Sequence, residues 1–262
     1  MKIPQILHQI YLQGTLPPRL EAQVSSLKER NPGWEHRLYD LQAGEALIEE
    51  HFSDEVLRAF RLINPEYGAA KADFLRHLII YHHGGVYLDI KSDLTRPLSD
   101  VIRHDDEYIL SQWRNGLGEV HEGFGLHPEL SHVPGGEFQT YFIMATKQHP
   151  LSRAAIDAIS QNILRYKPWS GVGKMGVIRT TGPSAYTLAI YPELPNCSYR
   201  LTSEEEIGAK MSIDDYQHQD VFKSHYASLT TPVVKLSRLG LLLQAVIERV
   251  RKLKYQSRSW VR

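Results

Sequence analysis

The sequence predicts an α/β fold, a mostly parallel sheet with helices on both faces, followed by a basic amphipathic helix at the C-terminus. Three observations lead there. Short apolar runs alternate with helical periodicities over residues 3–88, the pattern of parallel strands joined by crossover helices. The chain has 262 residues, 42% hydrophobic and 23% charged, enough to bury a core and too apolar for a disordered chain. From Lys235 to Arg262, apolar residues recur at three and four while eight basic residues face one acid, Glu248.

The elements follow in order. Ile3 to Tyr11 is an apolar-rich run closed by Gly14 and Pro17-Pro18, which predicts a buried strand. Arg19 to Arg30 suits a helix ending at Asn31-Pro32-Gly33. Glu35 to Tyr39 reads as a second strand, and Leu41 to Phe52 and Asp54 to Leu62 as helices. Residues 66–83 are apolar around nearly the whole circumference of a helix, so this helix is expected to be buried. Gly84-Gly85 ends it, and Val86-Tyr87-Leu88 starts a strand that delivers Asp89 to the sheet edge, where open α/β sheets bind ligands. The glycine- and proline-rich run from His121 to Gly136 reads as a long loop of the kind that binds acceptors or covers sites. No linker divides the body, so the expected organisation is one domain over 1–234 and a helix over 235–262.

Composition narrows the function. The single cysteine, Cys197, excludes an internal disulfide and a cysteine zinc site, which fits a reducing compartment. No stretch approaches the ~20 apolar residues of a membrane span, and the opening MKIPQILHQIYLQG lacks a signal-peptide pattern, so a cytoplasmic chain is expected. Thirty basic and thirty acidic residues cancel overall. Since residues 235–262 hold a surplus of seven cations, residues 1–234 carry the matching deficit, and an acidic body argues against a nucleic-acid partner. The tail's apolar stripe and cations instead suit the anionic face of a membrane, with Trp260 near the interface, although a helix docked on the body would show the same stripe.

Asp73 and Arg76 stand three apart and share a helical face. In an otherwise apolar helix a charge is kept only if it pairs or meets a polar ligand. Asp89 and Asp93, in YLDIKSD, offer two carboxylates that suit a divalent cation beside a pyrophosphate.

Together these residues resemble glycosyltransferase family 32, whose members carry a sugar-binding region with a DXD motif. Ala70, Asp73 and Arg76 fit Ala-x-x-Asp-x-x-Arg, and Gly84, Gly85, Tyr87, Leu88, Asp89, Pro97 and Leu98 fit Gly-Gly-x-Tyr-Leu-Asp followed by Pro-Leu. Ile3-Pro4 with Ile6, His8, Gln9, Ile10 and Tyr11 is similar to the family's opening Ile-Pro-x-x-Ile-His-x-x-Trp, and His149-Pro150 and Thr181-Gly182-Pro183 to later landmarks. Two positions depart from the pattern: Lys91 replaces the second aspartate, and Thr140 stands where an asparagine is expected.

The resemblance implies a GT-A-like fold and a retaining transfer of sugar from a UDP- or GDP-sugar to a glycan hydroxyl, in the setting of bacterial surface polysaccharide, on an acceptor that a lipid can carry. It implies Asp73, Arg76 and Asp89 as catalytic residues. His8, Gln9, Tyr11, Tyr87, Lys91, Thr181 and Gly182 join Asp73 and Arg76 around the donor, with Tyr11 stacked on the base. Asp89, Asp93 and His225 are the expected ligands of a Mn²⁺ or Mg²⁺ ion, with the Lys91 ammonium as the alternative source of positive charge. The same carboxylates would also serve a metal-dependent phosphohydrolase or nucleotidyltransferase, and Lys91 would suit a non-catalytic glycan-binding relative on the membrane.

Overall fold

A six-stranded sheet forms the centre of the molecule, in the order β2 (Glu35–Tyr39), β1 (Ile6–Ile10), β3 (Gly85–Leu88), β6 (Phe142–Ala145), β5 (Tyr108–Ser111), β7 (Arg200–Thr202). Five strands run one way and β6 alone runs against them, pairing antiparallel with both β3 and β5. The expected sheet is therefore mostly parallel with one reversed strand. The computed structural model describes residues 1–212, 226–244, 246 and 249.

Helices cover both faces because each central strand alternates its side chains between two cores. Tyr87, Tyr108, Leu110, Ile143 and Ala145 point into the larger one, and Val86, Leu88, Ile109, Phe142 and Met144 into the smaller. The larger core is closed by α2 (Leu41–His51), α3 (Asp54–Leu62), α4 (Gly68–His83), α6 (Pro150–Leu164), α7 (Gly173–Thr180) and α8 (Pro183–Ile190). The smaller is closed by α1 (Pro18–Arg30), α5 (Leu98–Val101) and α9 (Glu204–Ile207). A two-stranded ribbon, β4 (Asp93–Leu94) with β8 (Ala209–Lys210), sits beside it.

The ends obey local chemistry. Asp40 accepts from the Ala43 amide at 2.8 Å and starts α2; His149 accepts from Leu151 at 3.2 Å and, with Pro150, starts α6. As its all-round apolar pattern predicts, α4 is buried along almost its whole length. Its last turn leads into Gly84 (φ +66°) and Gly85 (φ +96°), and a Cβ at Gly85 would run into the Ile6 carbonyl. Glycine alone lets the chain leave α4 and drop straight into β3 beside β1.

Residues 233–235 are stitched to the body: the Asn64 amide donates to Val233, and the Lys235 amide to Leu62, both at 2.8 Å. Beyond them, residues 238–244 are helical. Most of the tail, with Trp260, lies outside the described residues. Among the described residues no helix is long and apolar enough to cross a membrane.

Candidate active site

Asp73 and Arg76 lie one turn apart on α4, and Asp89 follows the last residue of β3, so one buried helix and one buried strand bring the three together. The guanidinium of Arg76 is the hub. It reaches Asp73 Oδ1 at 2.7 Å and Asp89 Oδ1 at 3.2 Å, and donates to the Thr140 carbonyl at 2.5 Å. Tyr87, whose ring lies under that guanidinium at 4.9 Å, donates its hydroxyl to the same Asp89 oxygen at 2.6 Å. Thr181 donates to the other oxygen of Asp73 at 3.3 Å. The side chains of Arg76, Asp73 and Asp89 are 6%, 12% and 21% exposed, so one cation faces two carboxylates in a medium drier than water. Burial pushes the Asp73 carboxyl above its ordinary range despite the pull of Arg76, and drives the Tyr87 phenol far up, which keeps that hydroxyl a donor.

Two cavities meet at this cluster. One, of about 330 Å³, runs past Ile10, Tyr11, Leu12, Pro65, Gly68 and Lys71; the other, of about 180 Å³, past Trp113, Glu137, Gln139, Thr140, Tyr141 and Pro183. Ala69, Arg76, Asp89 and Lys91 line both. Tyr11 packs on Leu20, Val24 and Ile90 and shows part of its ring to the larger cavity, where the resemblance places the base.

The smaller cavity contains groups that the sequence reading did not single out. Trp113 donates its indole N–H to Glu137 at 2.9 Å, and His127 holds the other Glu137 oxygen at 3.1 Å. Burial raises the Glu137 carboxyl above its ordinary value. Gln139, 3% exposed, donates to Glu204 at 2.9 Å, while its buried Oε1 carries no hydrogen bond. An orphaned acceptor on a cavity wall is a place for a ligand hydroxyl. Trp113 follows β5, and Glu137 and Gln139 precede β6, flanking the predicted long loop, which holds His127 and a 3₁₀ turn at Pro128–Leu130.

Several expected donor contacts face elsewhere. His8 is fully buried; its Nε2 donates to the Gly84 carbonyl at 2.9 Å and its Nδ1 accepts from Tyr39 at 3.2 Å, so it pins the glycine turn to β1. Burial pulls His8 down to about 3, matching that neutral tautomer. Gln9 points to the opposite face and accepts from His36 at 2.9 Å. Thr181 reaches the site only through Asp73, and Gly182 caps α8 where a Cβ would collide with Ile178.

Asp93 is also displaced from its expected place beside Asp89. That expectation treats residues 89–93 as extended, whereas the Ser92 amide donates to the Asp89 carbonyl at 2.9 Å and the segment turns back. Asp93 then starts β4 and pairs with Arg30 at 2.6 and 3.3 Å, outside both cavities. His225 lies outside the described residues.

The match to known proteins falls on this same framework. Residues 17–109 match the family described as "Glycosyltransferase sugar-binding region containing DXD motif". Over those residues the chain is similar to that family. It is 24% identical over 195 residues to "Initiation-specific alpha-1,6-mannosyltransferase" of Candida albicans, covering 70% of this chain and 50% of that protein. It is 23% identical over 193 residues to "Mannosyl phosphorylinositol ceramide synthase CSH1" of Saccharomyces cerevisiae, covering 71% and 49%. The chain thus spans about half the length of these curated relatives. Its fold is similar to the UDP-bound glycosyltransferase domain of the YGT toxin, at TM-score 0.53 and 8% identity over 80% of this chain and 81% of that one. The architecture is thus of the GT-A type.

A DXD sugar-binding region is expected to hold a divalent cation through its second carboxylate, and the donor set here does not suit one. Lys91 stands at that position, Asp93 is taken by Arg30, and one oxygen of Asp89 already accepts from Tyr87 and Arg76. Among the described residues no three His, Cys, Asp or Glu side chains converge as a metal site would require.

Proposed function

We propose that the chain is a glycosyltransferase that moves a hexose from a UDP- or GDP-sugar to a hydroxyl of a glycan acceptor, with retention at the anomeric carbon. The observation that carries this reading is the pair of cavities sharing one charged wall. The larger suits a nucleotide, with the Tyr11 ring for the base and the diphosphate directed at Lys91. The smaller suits a saccharide: Asp73 and Arg76 offer acceptors and donors for sugar hydroxyls, Gln139 Oε1 awaits a donor, and the indole of Trp113 offers an apolar face for the acceptor ring. The bond to be broken then lies at the junction, where positive charge stabilises the departing diphosphate as the sugar becomes oxocarbenium-like. The names of the fungal relatives favour a mannosyl donor, and the UDP-bound fold neighbour a uridine one. A phosphohydrolase would use the larger cavity and leave the second without a task.

The deciding experiment is a transfer assay over UDP- and GDP-hexoses with mono- and oligosaccharide acceptors. Transfer should appear with one nucleotide, fall at least a hundredfold in Asp89→Asn, and in Trp113→Ala show a raised acceptor KM with unchanged donor hydrolysis. Hydrolysis of donor without transfer to any acceptor would favour the phosphohydrolase.

The setting belongs to the same proposal. Leu239, Leu242 and Val246 are 68%, 67% and 60% exposed along one side of the tail helix, and the segment from Lys235 onward is strongly cationic. An apolar stripe turned to solvent among cations suits an anionic bilayer, so we place the enzyme on the cytoplasmic face of a membrane, beside lipid-linked acceptors of surface polysaccharide synthesis.

A further inference from the structure

We infer that this site works without a divalent cation, and that the Lys91 ammonium supplies the charge on the donor diphosphate that a metal would bring. The inference rests on the glycosyltransferase reading and concerns how that site handles phosphate.

Charge counting makes the exchange exact in sign and size. A pair of carboxylates with a divalent ion sums to zero, and Asp89 with Lys91 also sums to zero. Turning the second carboxylate into an ammonium changes the site by two units, the charge of the ion it would have held. Of the other cations on the larger cavity's wall, Arg76 is shared between Asp73 and Asp89, both within 3.2 Å, and Lys71 lies over the Phe60 ring at 4.4 Å, away from the wall common to both cavities. Lys91 makes no ion pair with a described residue, although its field reaches Asp73 and lowers that carboxyl.

The backbone around Lys91 is built to aim it. Lys91 sits inside the turn closed by Ser92 N–H to the Asp89 carbonyl at 2.9 Å. On one side Ile90 is buried against Tyr11, Leu20 and Val24; on the other Ser92 is fully buried and donates its hydroxyl to the Met211 carbonyl at 2.7 Å. Both neighbours are therefore fixed, and the lysine between them is left half-buried at the junction of the two cavities. An arriving Mn²⁺ or Mg²⁺ would meet this ammonium and find a single carboxylate oxygen of Asp89 open to it. Repulsion and a poor donor set both oppose the ion, while a diphosphate meets a fixed cation.

Binding of UDP and GDP, measured by calorimetry with excess EDTA and with Mn²⁺, tests this apart from turnover. The parent should bind one of them with affinities in the two conditions within about twofold. Lys91→Ala should weaken the diphosphate by about ten- to a hundredfold, the monophosphate less, and the free nucleoside not at all, a gradient that a merely structural role would not produce. Lys91→Asp, which restores the two carboxylates, should bind only with Mn²⁺. Loss of parental binding in EDTA, or diphosphate binding by Lys91→Ala equal to the parent, would overturn the inference while leaving the glycosyltransferase intact. Failure of the parent to bind either nucleotide in both conditions would overturn the glycosyltransferase reading itself and this inference with it.

Discussion

Removing Arg76 tests what its cluster does for the fold. In Arg76→Met the aliphatic volume is kept while Asp73 and Asp89, which now share one guanidinium, are left facing each other, and the Thr140 carbonyl loses its donor. Breaking a buried pair by deleting one partner costs about 3–5 kcal/mol, because the surviving charge is stranded. In a chain of this size each kcal/mol moves the melting temperature by about 2–4 °C, so a fall of roughly 6–20 °C is expected by calorimetry. The double variant Asp73→Asn/Arg76→Met strands one carboxylate fewer, and should recover at least about 1 kcal/mol of that loss. The pH dependence gives an independent check. The folded Asp73 carboxyl is already raised by burial and will rise further without Arg76, so the neutral acid is tolerated and the charge is not. Relative to the parent at the same pH, the single variant should therefore lose less stability near pH 4 than at pH 7. A melting point within about 2 °C of the parent, or a double variant as unstable as the sum of its parts, would show that the three groups are not an energetic unit.

Burial holds His8 and His77 at about 3, and His36 and His83 at about 4, so in each case the unfolded chain binds the proton first as pH falls. Stability should be complete above about pH 6.5 and decline as pH drops toward 4, at up to ~1.4 kcal/mol per unit for each fully buried histidine; a melting temperature flat across that range would contradict these environments. Truncation after Val234 should abolish co-sedimentation with anionic vesicles and spare transfer to a soluble acceptor, and high salt should weaken binding of the intact chain; an intact chain that ignores such vesicles would assign the stripe to a protein contact instead.

What the sequence made legible was set by range. β2 at Glu35–Tyr39 and α3 at Asp54–Leu62 lie where the local pattern puts them, because polar and turn residues bound both. β1 starts later than its apolar run, at Ile6, where pairing with Glu35 begins; no local signal marks that partner. The Asp73–Arg76–Asp89 cluster was readable because helical spacing places the first two together and a glycine turn delivers the third. Trp113, Glu137 and Gln139 were not, since their convergence depends on β5 and β6 pairing across the long loop between them. Asp93 went astray at one point, the reversal at Asp89–Ser92, where period-two reasoning applies to strands and fails in a turn.

The motif residues fall into two physical groups. His8, Tyr87 and Thr181 spend their polar atoms inside the protein, on Gly84, Asp89 and Asp73 respectively, and Gly182 is required by the close passage of α7 and α8. Their task is to hold a turn, a carboxylate and a helix start in place. Asp89, Lys91 and the rim of Tyr11 face the cavities. Substitution in the first group alters the site through its geometry, so the conservative changes Tyr87→Phe and Thr181→Ser should divide them: the phenol's loss frees an Asp89 oxygen, while serine can still reach Asp73. Substitution in the second group changes the charge or surface that faces the cavities. Lys91 is the member of that group in which the family pattern and this chain disagree, and it makes no ion pair with a described residue, so under the proposed function the electrostatics of the leaving diphosphate turn on it.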